Sequence, residues 1–146
     1  MARVNAGKAG IWHDGGPGKG KIYCDKAPTR GIQERLLNQT IAMVDELGFS
    51  IVIFSVDTGK HAPRSRHYTG RAEDITDVHV YGQDPMPCTL QNPHAVRMVE
   101  WFMAHGFQAG RENGPYDAVL LGPVGSPWNK TRSPHAGHAH VSIFKP

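Results

Sequence analysis

The chain has 146 residues, a common size for one domain, so a single hydrophobic core is expected and a two-domain enzyme is not. Sixteen Lys and Arg against 13 Asp and Glu give a formal net charge of +3, spread without a run of five like charges, which speaks against a nucleic-acid stripe. No stretch approaches ~18 consecutive apolar residues, so membrane insertion is not expected, and no apolar segment follows the basic N-terminal residues as a secretory signal requires.

Residues 1–28 are rich in Gly, with Trp12, Ile22 and Tyr23 as the main apolar anchors, and read as an irregular arm on the single domain 1–146. From about Thr29 the spacing of Ile32, Leu36, Leu37, Ile41, Val44 and Leu47 predicts an amphipathic helix that stops at Gly48. The β-branched run 50–56 predicts a buried strand, and a second extended stretch is predicted over 72–81. Residues 82–93 read as a loop. Asn92 and Pro93 then suit the N-cap and first position of a second helix, with Val96, Val99, Phe102 and Met103 on its buried face. Strands over 116–121 and 138–144 follow, separated by a long Pro/Gly-rich loop that carries Trp128. Two main helices and about four strands predict an α+β domain with a small, mainly antiparallel sheet.

Nine histidines are an unusual count, and three fall at His135, His138 and His140. In an extended strand, residues two apart project from the same face, so His138 and His140 share one face while Val141 and Ile143 share the other. A pair of imidazoles opposite an apolar face is suited to binding a metal. Catalytic zinc takes three protein ligands from His, Asp or Glu and keeps a fourth position for water. His67, Asp74 and one of the strand histidines would supply such a set. A structural zinc would close the fourth position, usually with Cys, but Cys24 and Cys88 are not at CxxC-type spacing. Whether these two cysteines pair stays open at this point.

Ser65-x-His67-x-x-Gly70-x-Ala72-x-Asp74, followed near the C-terminus by His135-x-x-His138-x-His140, resembles the zinc peptidases of the LAS type. This group includes lysostaphin, the D-Ala-D-Ala carboxypeptidases and the Hedgehog fold. The pattern looks most like the penicillin-insensitive murein endopeptidases and related bacteriophage lysins. The resemblance implies His67, Asp74 and His140 as zinc ligands on one face of the sheet. It implies that His138 faces the reacting water or oxyanion, with His135 beside it, and that Gly70 permits the turn between ligands. One departure is that position 137 is Gly, where many carboxypeptidase members carry a Glu base a few residues before the last ligand. Proton transfer would then fall to His138 or His135.

The expected activity is hydrolysis of amide bonds in the peptide part of bacterial peptidoglycan by a monomer. The enzyme would be made in the cytoplasm and reach the wall after release, in the manner of an endolysin. The alternative is a non-hydrolytic zinc-containing binding or virion structural protein on the same fold. Arg71, between the ligands, is the first candidate cation for a substrate carboxylate, and Trp128 is a candidate wall of a peptide groove. His13, His61, His79, His94 and His105 have no companion at ligand spacing and are assigned no role. His79, five residues after Asp74, is expected on the opposite strand face, and Glu73 is expected to face solvent.

Overall fold

The computed structural model describes residues 8–59, 66, 70–88, 91–105, 116–121 and 138–143. Among these, six strands form one sheet: β1 (Gly10–Asp14), β2 (Lys21–Cys24), β3 (Phe49–Ser55), β4 (Ala72–Val80), β5 (Tyr116–Leu121) and β6 (His138–Ile143). Their spatial order is β1-β2-β3-β4-β6-β5. Every pairing is antiparallel except β2 with β3. The α+β class and mainly antiparallel sheet agree with expectation. The irregular N-terminal arm does not, because it contributes the β1–β2 hairpin, and its Trp12, Ile22 and Cys24 enter the core.

Helix α1 (Glu34–Leu47) starts five residues later than the periodicity suggests. Gln33 before it is extended and donates its backbone N–H to the Gly70 carbonyl at 2.8 Å, fastening the helix start to the approach of β4. Gly48 ends the helix in the left-handed conformation (φ 67°), a position that a residue without Cβ occupies at no steric cost. Its carbonyl accepts from the Tyr81 N–H at 2.9 Å.

Helix α2 (Pro93–Ala104) is capped as its sequence predicts. Asn92 Oδ1 accepts from the N–H groups of His94 at 3.0 Å and Ala95 at 3.4 Å. The Asn92 amide in turn donates to the carbonyls of Val78 and Pro87, tying the cap to the sheet. Besides Val99 and Phe102, the buried face of α2 includes Ala95, Met98 and Trp101.

Both helices cover the same face of the sheet. Leu36, Met43 and Val44 of α1 and Met98, Val99 and Phe102 of α2 form one core with Ile22, Ile51, Ile53, Ile75, Val78 and Val141. Among the described residues, no helix is long and apolar enough to cross a membrane. The opposite sheet face carries no helix of the described chain, and the candidate site lies there.

One close approach fixes the start of β2. A Cβ at Gly20 would lie 1.4 Å from the Phe49 carbonyl oxygen, so any side chain must push the start of β2 away from the start of β3. Gly20→Ala is expected to lower stability by about 3 kcal/mol or more, read as a shift of the urea midpoint. A midpoint equal to that of the parent chain would contradict this contact.

Candidate metal centre

The register of β4 with β6 brings together the chemistry that the sequence separates. Asp74 pairs directly with His140, and Ile75 pairs with Ala139. Ala139 and Val141 are fully buried against the helices, so His138 and His140 project from the open face beside Asp74. His140 Nδ1 lies 3.2 Å from Asp74 Oδ1, and His138 Nε2 lies 3.8 Å from the same oxygen. Side-chain exposure is 13% for Asp74, 18% for His138 and 26% for His140, so this is a recessed polar cluster that solvent still reaches.

The donors can be tested for fit to a zinc ion. Two ligands held at about 2.0–2.1 Å on a tetrahedral ion lie about 3.3 Å apart. The 3.2 Å between Asp74 Oδ1 and His140 Nδ1 matches that edge, and the 3.8 Å to His138 exceeds it. Asp74 and His140 therefore fit as co-ligands, with His138 a neighbour of the pair. Among the described residues no group of three His, Cys, Asp or Glu side chains is arranged to hold a metal. His67, the third expected ligand, lies outside the described residues, as do His135 and Trp128.

The turn before β4 is anchored on the same side of the molecule. Arg66 Nη1 donates to Ser142 Oγ at 3.0 Å, and the Arg71 N–H donates to the Arg66 carbonyl at 3.0 Å. Ser142 lies two residues beyond His140 and is buried on the face that His140 shares. Position 66 is thereby held against the strand that bears the histidine pair. Gly70 adopts φ 69°, a left-handed conformation that suits the turn expected at this position. Arg71 is half-buried beside this turn.

Two expectations on β4 are corrected. Glu73 does point away from the Asp74 face, but it is fully buried, because α1 covers that side of the sheet. Its Oε1 lies 2.7 Å from Thr40 Oγ1, and burial pushes its carboxyl up from 4.5 to about 8. His79 is not on the opposite face. Val52 pairs with Asp77 and Ile53 with Ile75, so Thr76 is an extra residue that reverses the alternation. Beyond it Val78 is buried, while Asp77 and His79 join Asp74 on the open face, with His79 Nδ1 and Asp77 Oδ1 2.5 Å apart.

Three other histidines have structural partners on the described chain. His13 bonds Asp45 of α1 at 2.9 Å, His94 meets the Phe49 ring edge-on at 5.3 Å, and His105 stacks on Trp101 at 3.8 Å. His61 lies outside the described residues. Cys24 and Cys88 are free and buried, and burial raises their thiols to about 11 and about 12. Both belong to the core on the helix-covered side, so among the described residues they take no part in the polar cluster.

No family model, no curated protein and no solved structure matches the chain.

Proposed function

We propose that this chain is a zinc-dependent peptidase that hydrolyses amide bonds in the stem or cross-link peptides of bacterial peptidoglycan. The observation that carries the reading is the meeting of Asp74, His138 and His140 at one recessed point on the open sheet face, with the Asp74–His140 separation suited to a shared ion. Its companions are the left-handed Gly70 and the Arg66–Ser142 bond, which holds the residue before His67 against β6. The same residues carry the resemblance to zinc peptidases of peptidoglycan.

In this reading Asp74, His140 and His67 would hold Zn2+. The ion would polarise the scissile carbonyl and make water acidic enough to ionise near neutral pH. His138, beside Asp74 but outside the ligand edge, takes a proton on its ring nitrogen and returns it to the leaving amine. His135 assists from the same tract. Arg71, adjoining Gly70, would hold a carboxylate of the stem peptide, and Trp128 would wall the groove. The recessed position of the cluster strengthens each polar contact relative to water.

The test is clearing of purified sacculi with zinc, and after chelation and zinc return. Zinc-dependent clearing supports the peptidase. Stoichiometric zinc with no clearing at any pH overturns it in favour of a non-hydrolytic protein on the same fold. His138→Ala is expected to keep zinc and to lower turnover by about 100-fold or more, seen as full metal content with residual clearing. Loss of zinc in this variant would place His138 among the ligands.

A further inference from the structure

The open face continues past the candidate site onto an apolar surface. Among the described residues, four large hydrophobic side chains are exposed, and three of them stand on neighbouring strands of this face: Ile11 (54%), Tyr23 (41%) and Phe54 (42%). The register links them to the site strand. Ile11 pairs with Tyr23, Tyr23 with Val52, and Val52 with Asp77, one row running across β1, β2, β3 and β4. Phe54 stands beside this row, and Lys26 Nζ sits 4.4 Å above its ring centre. Exposed aromatic side chains grouped on one face mark a binding surface more often than they mark chance.

We propose that this face binds the glycan strand of peptidoglycan while the strand's peptide stem reaches the metal centre; the proposal rests on the peptidase reading above. Three features of the surface select a glycan. Tyr23 offers a flat apolar ring of the kind on which the C–H faces of pyranose rings stack, its hydroxyl adds a polar handle for sugar hydroxyls, and Phe54, with Lys26 over its ring, extends the apolar surface beside it. Lys26, seated over Phe54, brings an ammonium to the rim that can donate hydrogen bonds to sugar hydroxyls. The spacing also fits a branched substrate. Tyr23 lies two strands from β4, about 10 Å across the sheet, and its row meets β4 about 7–10 Å along from Asp74. The separation from Asp74 is then about 13 Å, the reach of about four extended residues. A sugar on Tyr23 would bring a bond some four residues down its stem to the metal centre. The Asp77–His79 pair borders that path and offers hydrogen-bonding groups to the stem.

The experiment is co-sedimentation with glycan strands stripped of their peptides, in the presence of chelator so that hydrolysis plays no part. The parent chain is expected to bind. Tyr23→Ser with Phe54→Ser is expected to lower affinity by about 10-fold or more, and Tyr23→Trp with Phe54→Trp to retain it. All four substitutions fall at exposed positions, and the Trp pair controls for misfolding. Unchanged binding by the Ser pair, or binding by the parent chain only when peptides are present, overturns the proposal. So does sedimentation equilibrium showing a parent dimer that the Ser pair abolishes, since a second copy would then occupy this face. The two readings fail separately. Glycan binding without zinc-dependent clearing sinks the peptidase alone, and clearing without binding to stripped glycan sinks this face alone.

Discussion

Asp74→Ala and His140→Ala are each expected to lower zinc affinity by more than about 100-fold and to leave sacculi uncleared, while the chain stays folded. The expectation rests on the register Asp74↔His140 and on the 3.2 Å between their facing atoms. Losing either member of a ligand pair leaves an ion with too few protein donors to compete with water. Both side chains are on the open face and solvent reaches both, so truncation opens no cavity in the core, and the unfolding free energy of the chelated variants, taken from the urea curve, should stay within about 1 kcal/mol of the parent. Metal content after dialysis, clearing of sacculi and the urea curve together decide the matter. If both variants bind zinc stoichiometrically and clear normally, the metal centre lies elsewhere. Ser142→Ala provides a graded comparison: it removes the acceptor of the Arg66 bond and leaves Asp74 and His140 in place. Zinc affinity is expected to fall by about 10-fold, within the range of changes that act through a supporting group.

What could be read from the sequence was local, and what could not was pairing. Alternation along β6 correctly separates His138 and His140 from Ala139 and Val141, because side-chain direction in a strand depends only on parity. The Asn92 cap, the Pro93 start and the Gly48 stop follow from backbone chemistry within a few residues and hold in the structure. That His140 faces Asp74 depends instead on two strands 66 residues apart finding one register, which no local spacing encodes. The β1–β2 hairpin is hard to read because its strands are only five and four residues long among glycines; of the three apolar anchors expected there, Trp12 and Ile22 enter the core and Tyr23 stands exposed. His79 misled for a single reason: the extra residue Thr76 reverses the alternation, and its carbonyl is satisfied by the Cys88 N–H at 2.9 Å, a partner the strand's own sequence does not reveal.

Glu73 shows how a correct side assignment can miss the environment, and it carries the second large effect. Parity places Glu73 opposite Asp74, but α1 seals that side and Thr40 meets its carboxyl. Thr40 Oγ1 is also 2.8 Å from the Leu36 carbonyl, which can only accept. A hydroxyl has one proton, so with Thr40 donating to Leu36 the carboxyl O–H of Glu73 donates to Thr40, and the neutral acid is the form that satisfies both contacts. Glu73 Oε2 finds no partner among the described residues, which makes the ionised form costlier still. Desolvation is the largest cause of the rise of the carboxyl from 4.5 to about 8, and repulsion from Asp74 adds to it. Between these two values the folded chain keeps a proton that the unfolded chain releases, so its stabilising effect is complete below pH 4.5 and is lost as the pH rises through about 8. The loss is on the order of 5 kcal/mol across that window. Glu73→Gln keeps a donor for Thr40 without a titrating proton. Measured in chelator, its urea midpoint is expected to match the parent near pH 5, to stay level, and to exceed the parent at pH 8. Parallel parent and variant profiles would show that Glu73 ionises in the folded chain as freely as in the unfolded one. Glu73→Ala, which leaves Thr40 facing an empty space, is expected to be destabilised even at pH 5, and this separates loss of the contact from loss of the charge.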